Sequence, residues 1–355
     1  MEQLYGAPMS KHKINVIPFN PSTFDPQNPV PGVYSGMPIN FYHSPAMQHI
    51  MSKSGLVDLR SCPAAVKMPK KKTDALSLGR AADPYILEGT AAFEREFVIQ
   101  PDFPCPPGNN PKGWHNTKEY KATVSEFEAG IGGKELVTPD NFERIKCMNF
   151  SVKLNPWAKL ILSNSHSQLT YIWQDTDVVF PDGTCSEGTG KFCKSRPDMT
   201  CLHSLDESDL KTAKSVSHHG FQSAMLIYGY DVQAGMAFEA FWRLTGLVLR
   251  NFTMITVQSN PPFQCEVWPL VDEKMITDAS PIEAPMMSPW IIGGIKEFHR
   301  LLKLYATCEA ENFWPAYKPV WGKGKWLIRQ ANYTPLLTPG YYNPGESLWE
   351  NIPEE

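Results

Sequence analysis

The chain has 355 residues, with 33 Lys+Arg against 37 Asp+Glu and a formal charge of −4. At 42% hydrophobic it can bury a core, which excludes wholesale disorder. Mild acidity excludes a nucleic-acid binder that works by bulk positive charge, though not one with a local basic groove. No run approaches the ~20 apolar residues of a membrane span. The opening MEQLYGAPMSKHK lacks the apolar stretch of a secretory signal. Eight cysteines form no CxxC pair, so a zinc ribbon is not expected. Cys185, Cys193 and Cys201 are evenly spaced, which fits either a metal site or reduced intracellular thiols. The expectation is a soluble cytoplasmic protein.

In chain order, residues 1–30 are rich in Pro and Asn without periodicity and read as an irregular extension. A short helix is expected over 52–60 after Ser52, and another over 75–88, where Pro84 threatens a kink. Residues 103–118 form a Pro/Gly/Asn loop, and 138–150 a helix opened by Thr138 or Asp140 with Pro139 in its first turn. Strands follow at 168–173, 192–202 and, shorter and charged, 205–212. A long helical stretch covers 214–246, broken near Gly229. Strands at 252–258 and 263–268 and a helix over 290–306 complete an α/β layout around one central mixed sheet.

The chemistry concentrates in Arg196-Pro197-Asp198 and Asp209-Leu210-Lys211. Asp209 and Lys211 are two apart on a strand, so their side chains share a face. Asp198 reaches the same place if its strand pairs with theirs. Two carboxylates and an ammonium are costly to bury together but suit a divalent metal, with the Leu210 carbonyl as a further oxygen ligand. Such a metal activates water, and Lys211 orients that water or stabilises phosphate charge. The spacing alone leaves two readings open: a nuclease site, or a solvated edge strand carrying surface charges.

Several separated segments resemble the RecE-type exonucleases of phage and prophage recombination, within the PD-(D/E)XK superfamily. They are PGVYSGMPINFYHSPAMQHIMSKSGLVDLRSCPA at 31–64, LGRAADPYILEG at 78–89, TGKFCKSRPD at 189–198 and DLKTAKS at 209–215. Further matches are YGYDVQAGMAF at 228–238, NPPFQCEV at 260–267 and FWPAY at 313–317. The resemblance covers roughly 30–320 in order. It implies a PD-(D/E)XK nuclease-like α/β domain over 31–335, followed by an acidic tail at 336–355. It implies that Asp198 and Asp209 bind metal, that Lys211 is the catalytic lysine and that Gln233 positions the lysine or DNA. Two positions depart from the family. Asp83 stands where a His is usual, and Gln168 where a Glu is usual. A compensating carboxylate swap, with Asp83 as a metal ligand, and a weakened site both fit.

The implied activity is a Mg²⁺-dependent (or Mn²⁺-dependent) exonuclease on double-stranded DNA ends, running 5′ to 3′ and leaving 3′ overhangs. The implied partners are a RecT-type single-strand annealing protein and further copies of the chain, in a ring-like tetramer. The alternative is a catalytically impaired DNA-end or partner-binding protein on the same fold. A nuclease of the iron–sulfur type is disfavoured, because Cys265 and Cys308 are too few and too far apart.

Candidate phosphate contacts are Arg196, Lys70 and Lys71 beside Lys67 and Lys72, and Lys323 and Lys325 among Trp321 and Trp326. The lysines also read as ordinary surface charges, and Arg196 as the partner of a structural carboxylate. His218, His219 and Glu207 lack zinc spacing, and no GxxxxGK[ST] motif is present. The last ten residues carry four Glu and no Lys or Arg, so residues 1–345 sum to −4 + 4 = 0.

Overall fold

The computed structural model describes residues 14–69, 73–110, 112–180, 183, 185–270, 288–316, 321–322 and 325–326. Two short strands come first, β1 (Val16–Pro18) and β2 (Gly32–Ser35), paired in parallel. Short helical turns fill 39–67, and Lys53–Leu56 is the helix expected after Ser52. The helix α1 (Asp74–Leu87) starts where the Thr73 hydroxyl accepts the Leu76 N–H, and it runs on through Pro84. Next come α2 (Thr90–Glu96), β3 (Phe97–Ile99), α3 (Lys118–Gly130) and β4 (Glu135–Val137). The helix α4 (Pro139–Leu154) is capped by Thr138, not Asp140, and Pro139 takes the first-turn position. It is followed by α5 (Pro156–Asn164).

The middle of the chain holds β5 (His166–Ser167), β6 (Thr170–Gln174), β7 (Val178–Val179), β8 (Cys185–Ser186), β9 (Phe192–Ser195), β10 (Met199–Cys201) and β11 (Asp206–Ala213). The strand expected over 192–202 is two strands. Pro197 has no N–H to give a ladder, so the chain leaves one sheet at Arg196–Asp198 and enters another. The helices α6 (His218–Tyr228) and α7 (Tyr230–Thr245) are separated by Gly229, whose φ of 65° is left-handed. Then follow β12 (Asn251–Gln258), β13 (Cys265–Pro269), α8 (Pro289–Ala310) and the small pair β14 (Trp321–Gly322) and β15 (Lys325–Trp326).

The fold is mixed α/β, but the single central sheet expected from the sequence is two main sheets. One has the order β1-β2-β6-β9 and the other β13-β12-β11-β10-β5. In the second, β11 and β12 are parallel, joined by the α6–α7 crossover, and β10 is antiparallel to β11. Both faces of β12 are covered, so all but its last residue is buried. Phe252 and Met254 meet a core shared with α7 and α8, while Ile255, Val257 and Leu210 meet one shared with α1 and α4. Among the described residues, no helix is long and apolar enough to cross a membrane.

Candidate active site

The pairing of β10 with β11 ends at Met199↔Ser208, so the β11 edge from Asp209 onward is not covered by β10. Asp198, the residue just before β10, fills that gap. Its carboxylate accepts the Leu210 N–H at 2.8 Å, and its own N–H donates to Asp209 Oδ1 at 3.3 Å. The two aspartates are thereby locked together by backbone donors. Asp209 is buried, and its Oδ2 lies against the ammonium of Lys211, which is only partly exposed.

Asp83 arrives from α1. That helix lies close to β11: an added Cβ at Gly79 would sit 3.0 Å from Thr212 Oγ1. Burial pushes the Asp83 carboxyl well above the usual range, and the Asp198 charge pushes it further, against Lys211 and Arg80. Burial also raises Asp198, opposed by Lys211 and by the Leu210 N–H. Burial lowers Lys211, opposed by the two carboxylates Asp198 and Asp83. Three carboxylates and one ammonium thus share one partly buried space. Their all-oxygen donor set and their mutual repulsion fit a hard divalent cation.

The structure brings Asp83, Asp198, Asp209 and Lys211 together. On α7, Gln233 has a buried Oε1 without a hydrogen-bond partner among the described residues. Arg196 is tied into the fold: it donates to the Met37 carbonyl at 2.7 Å and to Gln168 Oε1 at 2.6 Å. Gln168 stands before β6 rather than within it, at φ 54°, with its N–H on the Asp198 carbonyl. Lys67 is exposed with its ammonium 4.1 Å from the Trp314 ring centre. Lys70, Lys71, Lys72 and Lys323 lie outside the described residues, as does the tail at 336–355. The Lys325 backbone pairs with Gly322.

Sequence reasoning missed Tyr230, whose ring centre is 5.2 Å from the Lys211 ammonium. It also missed how Glu207 is placed. On the same face of β11 as Asp209, this carboxyl is fully buried and pushed up to about 8 by burial. A second group of metal-type ligands lies elsewhere: Asp175, Glu239 and His299 bring ligand atoms within 4.8 Å of one another. Arg243 donates to Asp175 Oδ1 at 3.1 Å and to Glu239 Oε1 at 2.7 Å, so these carboxylates already have a cation. No local spacing signals this group, because its members come from the residue after β6, from α7 and from α8.

No protein-family model matches the chain, and no curated protein matches it. Among solved structures, it is similar to the crystal structure of a "Putative exonuclease" from Eubacterium rectale, with a TM-score of 0.47 and 15% identity. The match covers 81% of this chain and 96% of that one. A likeness at this level assigns neither family nor activity, and the functional reading rests on the site.

Proposed function

We propose that the chain is a metal-dependent nuclease that hydrolyses DNA from double-stranded ends. The observation that carries this is the convergence of Asp83, Asp198, Asp209 and Lys211 at the β11 edge that β10 leaves uncovered. Asp83, Asp198 and Asp209 are the residues that would hold the metal. A strand residue's N–H and C=O project to the same edge, so the Leu210 carbonyl lies on the side where Asp198 takes its N–H. When bound, a Mg²⁺ or Mn²⁺ ion there would supply an acidified water and charge neutralisation at the phosphodiester. Lys211 holds a proton donor against the reacting phosphate, and its partial burial strengthens that interaction. Gln233 offers an unpaired amide oxygen to orient Lys211 or the substrate.

The finer reading is exonucleolytic digestion 5′ to 3′, leaving 3′ overhangs for a RecT-type annealing protein, by a ring of identical subunits in the cytoplasm. It is supported by the ordered segments at 31–64, 189–198, 209–215 and 228–238. The test is digestion of a linear duplex with Mg²⁺, each strand end-labelled in turn. The wild type should shorten the 5′-ended strand. Asp209→Asn and Lys211→Ala should each lose at least about 100-fold in rate. Equal activity in all three proteins, or none in any, overturns the proposal. Binding of duplex ends without turnover favours the impaired, binding-only alternative, which the engagement of Gln168 by Arg196 supports.

A further inference from the structure

From Lys211 the site continues outward through two tyrosines. Tyr230 opens α7 directly after Gly229, and an added Cβ at Gly229 would collide with Val57. The turn between α6 and α7 is therefore pressed onto the segment that follows Lys53. The Lys53 ammonium donates to the Tyr228 carbonyl at 3.1 Å and lies 5.4 Å from the Tyr230 ring centre. Tyr230 is thus flanked by two ammonium groups, Lys53 on one contact and Lys211 at 5.2 Å on the other. The Tyr228 and Tyr230 rings are 5.8 Å apart, inclined at 32°. Yet Tyr228 is 57% exposed, and Ile227 beside it 69% exposed.

Packing accounts for Tyr230, whose ring is held between cations. It does not account for Tyr228, most of which faces water although its backbone is fixed at a rigid helix junction. An exposed aromatic face, an ammonium at its base and a phosphate-directed site one ring away together match a single strand of nucleic acid. Bases stack on aromatic rings irrespective of sequence, while lysines meet the phosphates. A protein partner would not need the continuity with Lys211.

We propose that Tyr228, backed by Tyr230 and flanked by Lys53, is the platform on which an unpaired nucleobase next to the scissile phosphate stacks. The site then takes a frayed or single-stranded end in preference to a fully paired terminus. This deepens the nuclease reading and rests on it.

The test uses the full chain with Ca²⁺ in place of Mg²⁺, to measure binding without turnover. The probes are a duplex with a short single-stranded overhang carrying 2-aminopurine and the matching blunt duplex. The wild type should quench the 2-aminopurine. Tyr228→Ala should lose the quenching and bind the overhang about ten-fold more weakly, with blunt-duplex binding unchanged. Tyr228→Phe should restore both. Since Tyr228 is exposed, the thermal midpoint of the alanine variant should match the wild type. If the wild type cleaves DNA with Mg²⁺ but Tyr228→Ala matches it in quenching and affinity with Ca²⁺, the platform alone is overturned. Equal loss of overhang and blunt binding overturns it too. A wild type that neither binds nor cleaves either probe overturns the nuclease reading together with the platform.

Discussion

Lys194 shows how a single residue's surroundings set its behaviour. It is buried at the end of β9, with its ammonium donating to the Tyr42 carbonyl at 2.7 Å and the Met47 carbonyl at 2.8 Å. Burial lowers its pKa from 10.5 to about 8. Between those values the unfolded chain binds more protons than the folded one, so this group makes stability rise as pH rises from 8 to 10.5. Below pH 8 the cost of burying the ammonium is present in full. Lys194→Met should destabilise the protein by roughly 1–3 kcal/mol at neutral pH, by stranding two carbonyls. Urea melts of both proteins across this range should show the wild-type advantage widening with pH. An unchanging difference would mean that Lys194 titrates normally. At the same scale, Asp209 and Lys211 needed no tertiary information to be paired, because strand geometry puts residues two apart on one face.

At the scale of elements, two glycines set how closely the backbones of α7 and α8 approach. An added Cβ at Gly294 would collide with the Asp231 carbonyl, and one at Gly235 with the Gly294 backbone. Backbone cannot yield as a side-chain tip can, so the helices would have to separate. Gly294→Ala is expected to cost about 1–3 kcal/mol or more, despite alanine's better helix propensity, and calorimetry or urea melts would show it. Nearby, Arg60 bridges Asp231 at 2.7 Å and Glu297 at 3.0 Å and donates to the Leu226 carbonyl at 2.9 Å. This holds the Lys53–Arg60 segment against both helices. The β9–β10 corner is the other decisive joint. Pro197 is visible in the sequence as a break, but which sheet each half joins is not, since that depends on partners distant in the chain.

For the whole molecule, the candidate site gathers three carboxylates that repel one another where the protein is partly closed to water. A divalent cation bound there should stabilise the folded state by mass action. Adding Mg²⁺ or Mn²⁺ in excess after chelation should raise the melting temperature of the wild type by several degrees, and of Asp209→Asn by much less. An equal rise in both, read by scanning calorimetry, would place the cation elsewhere. Asp175, Glu239 and His299 would be the next place to look. The overall charge of −4 does not decide affinity for DNA; the placement of Lys211 and Arg196 near the carboxylates, and of Lys53 beside Tyr230, bears on it more directly.

Legible without the fold were the local facts: the shared face of Asp209 and Lys211, the helix start at Thr138 or Asp140, the break at Gly229 and the boundaries of β11 and β12 to within a residue or two. These follow from backbone periodicity and from hydrogen bonds made within a few residues. Resemblance alone singled out Asp83, and nothing local marked Tyr230, because each reaches Lys211 only across packed elements. The division into two sheets, the buried state of Glu207 and the Asp175–Glu239–His299 group were likewise decided by the tertiary structure. Burial and long-range approach set pKa and donor geometry, and both are properties of how helices and sheets pack rather than of any stretch of chain.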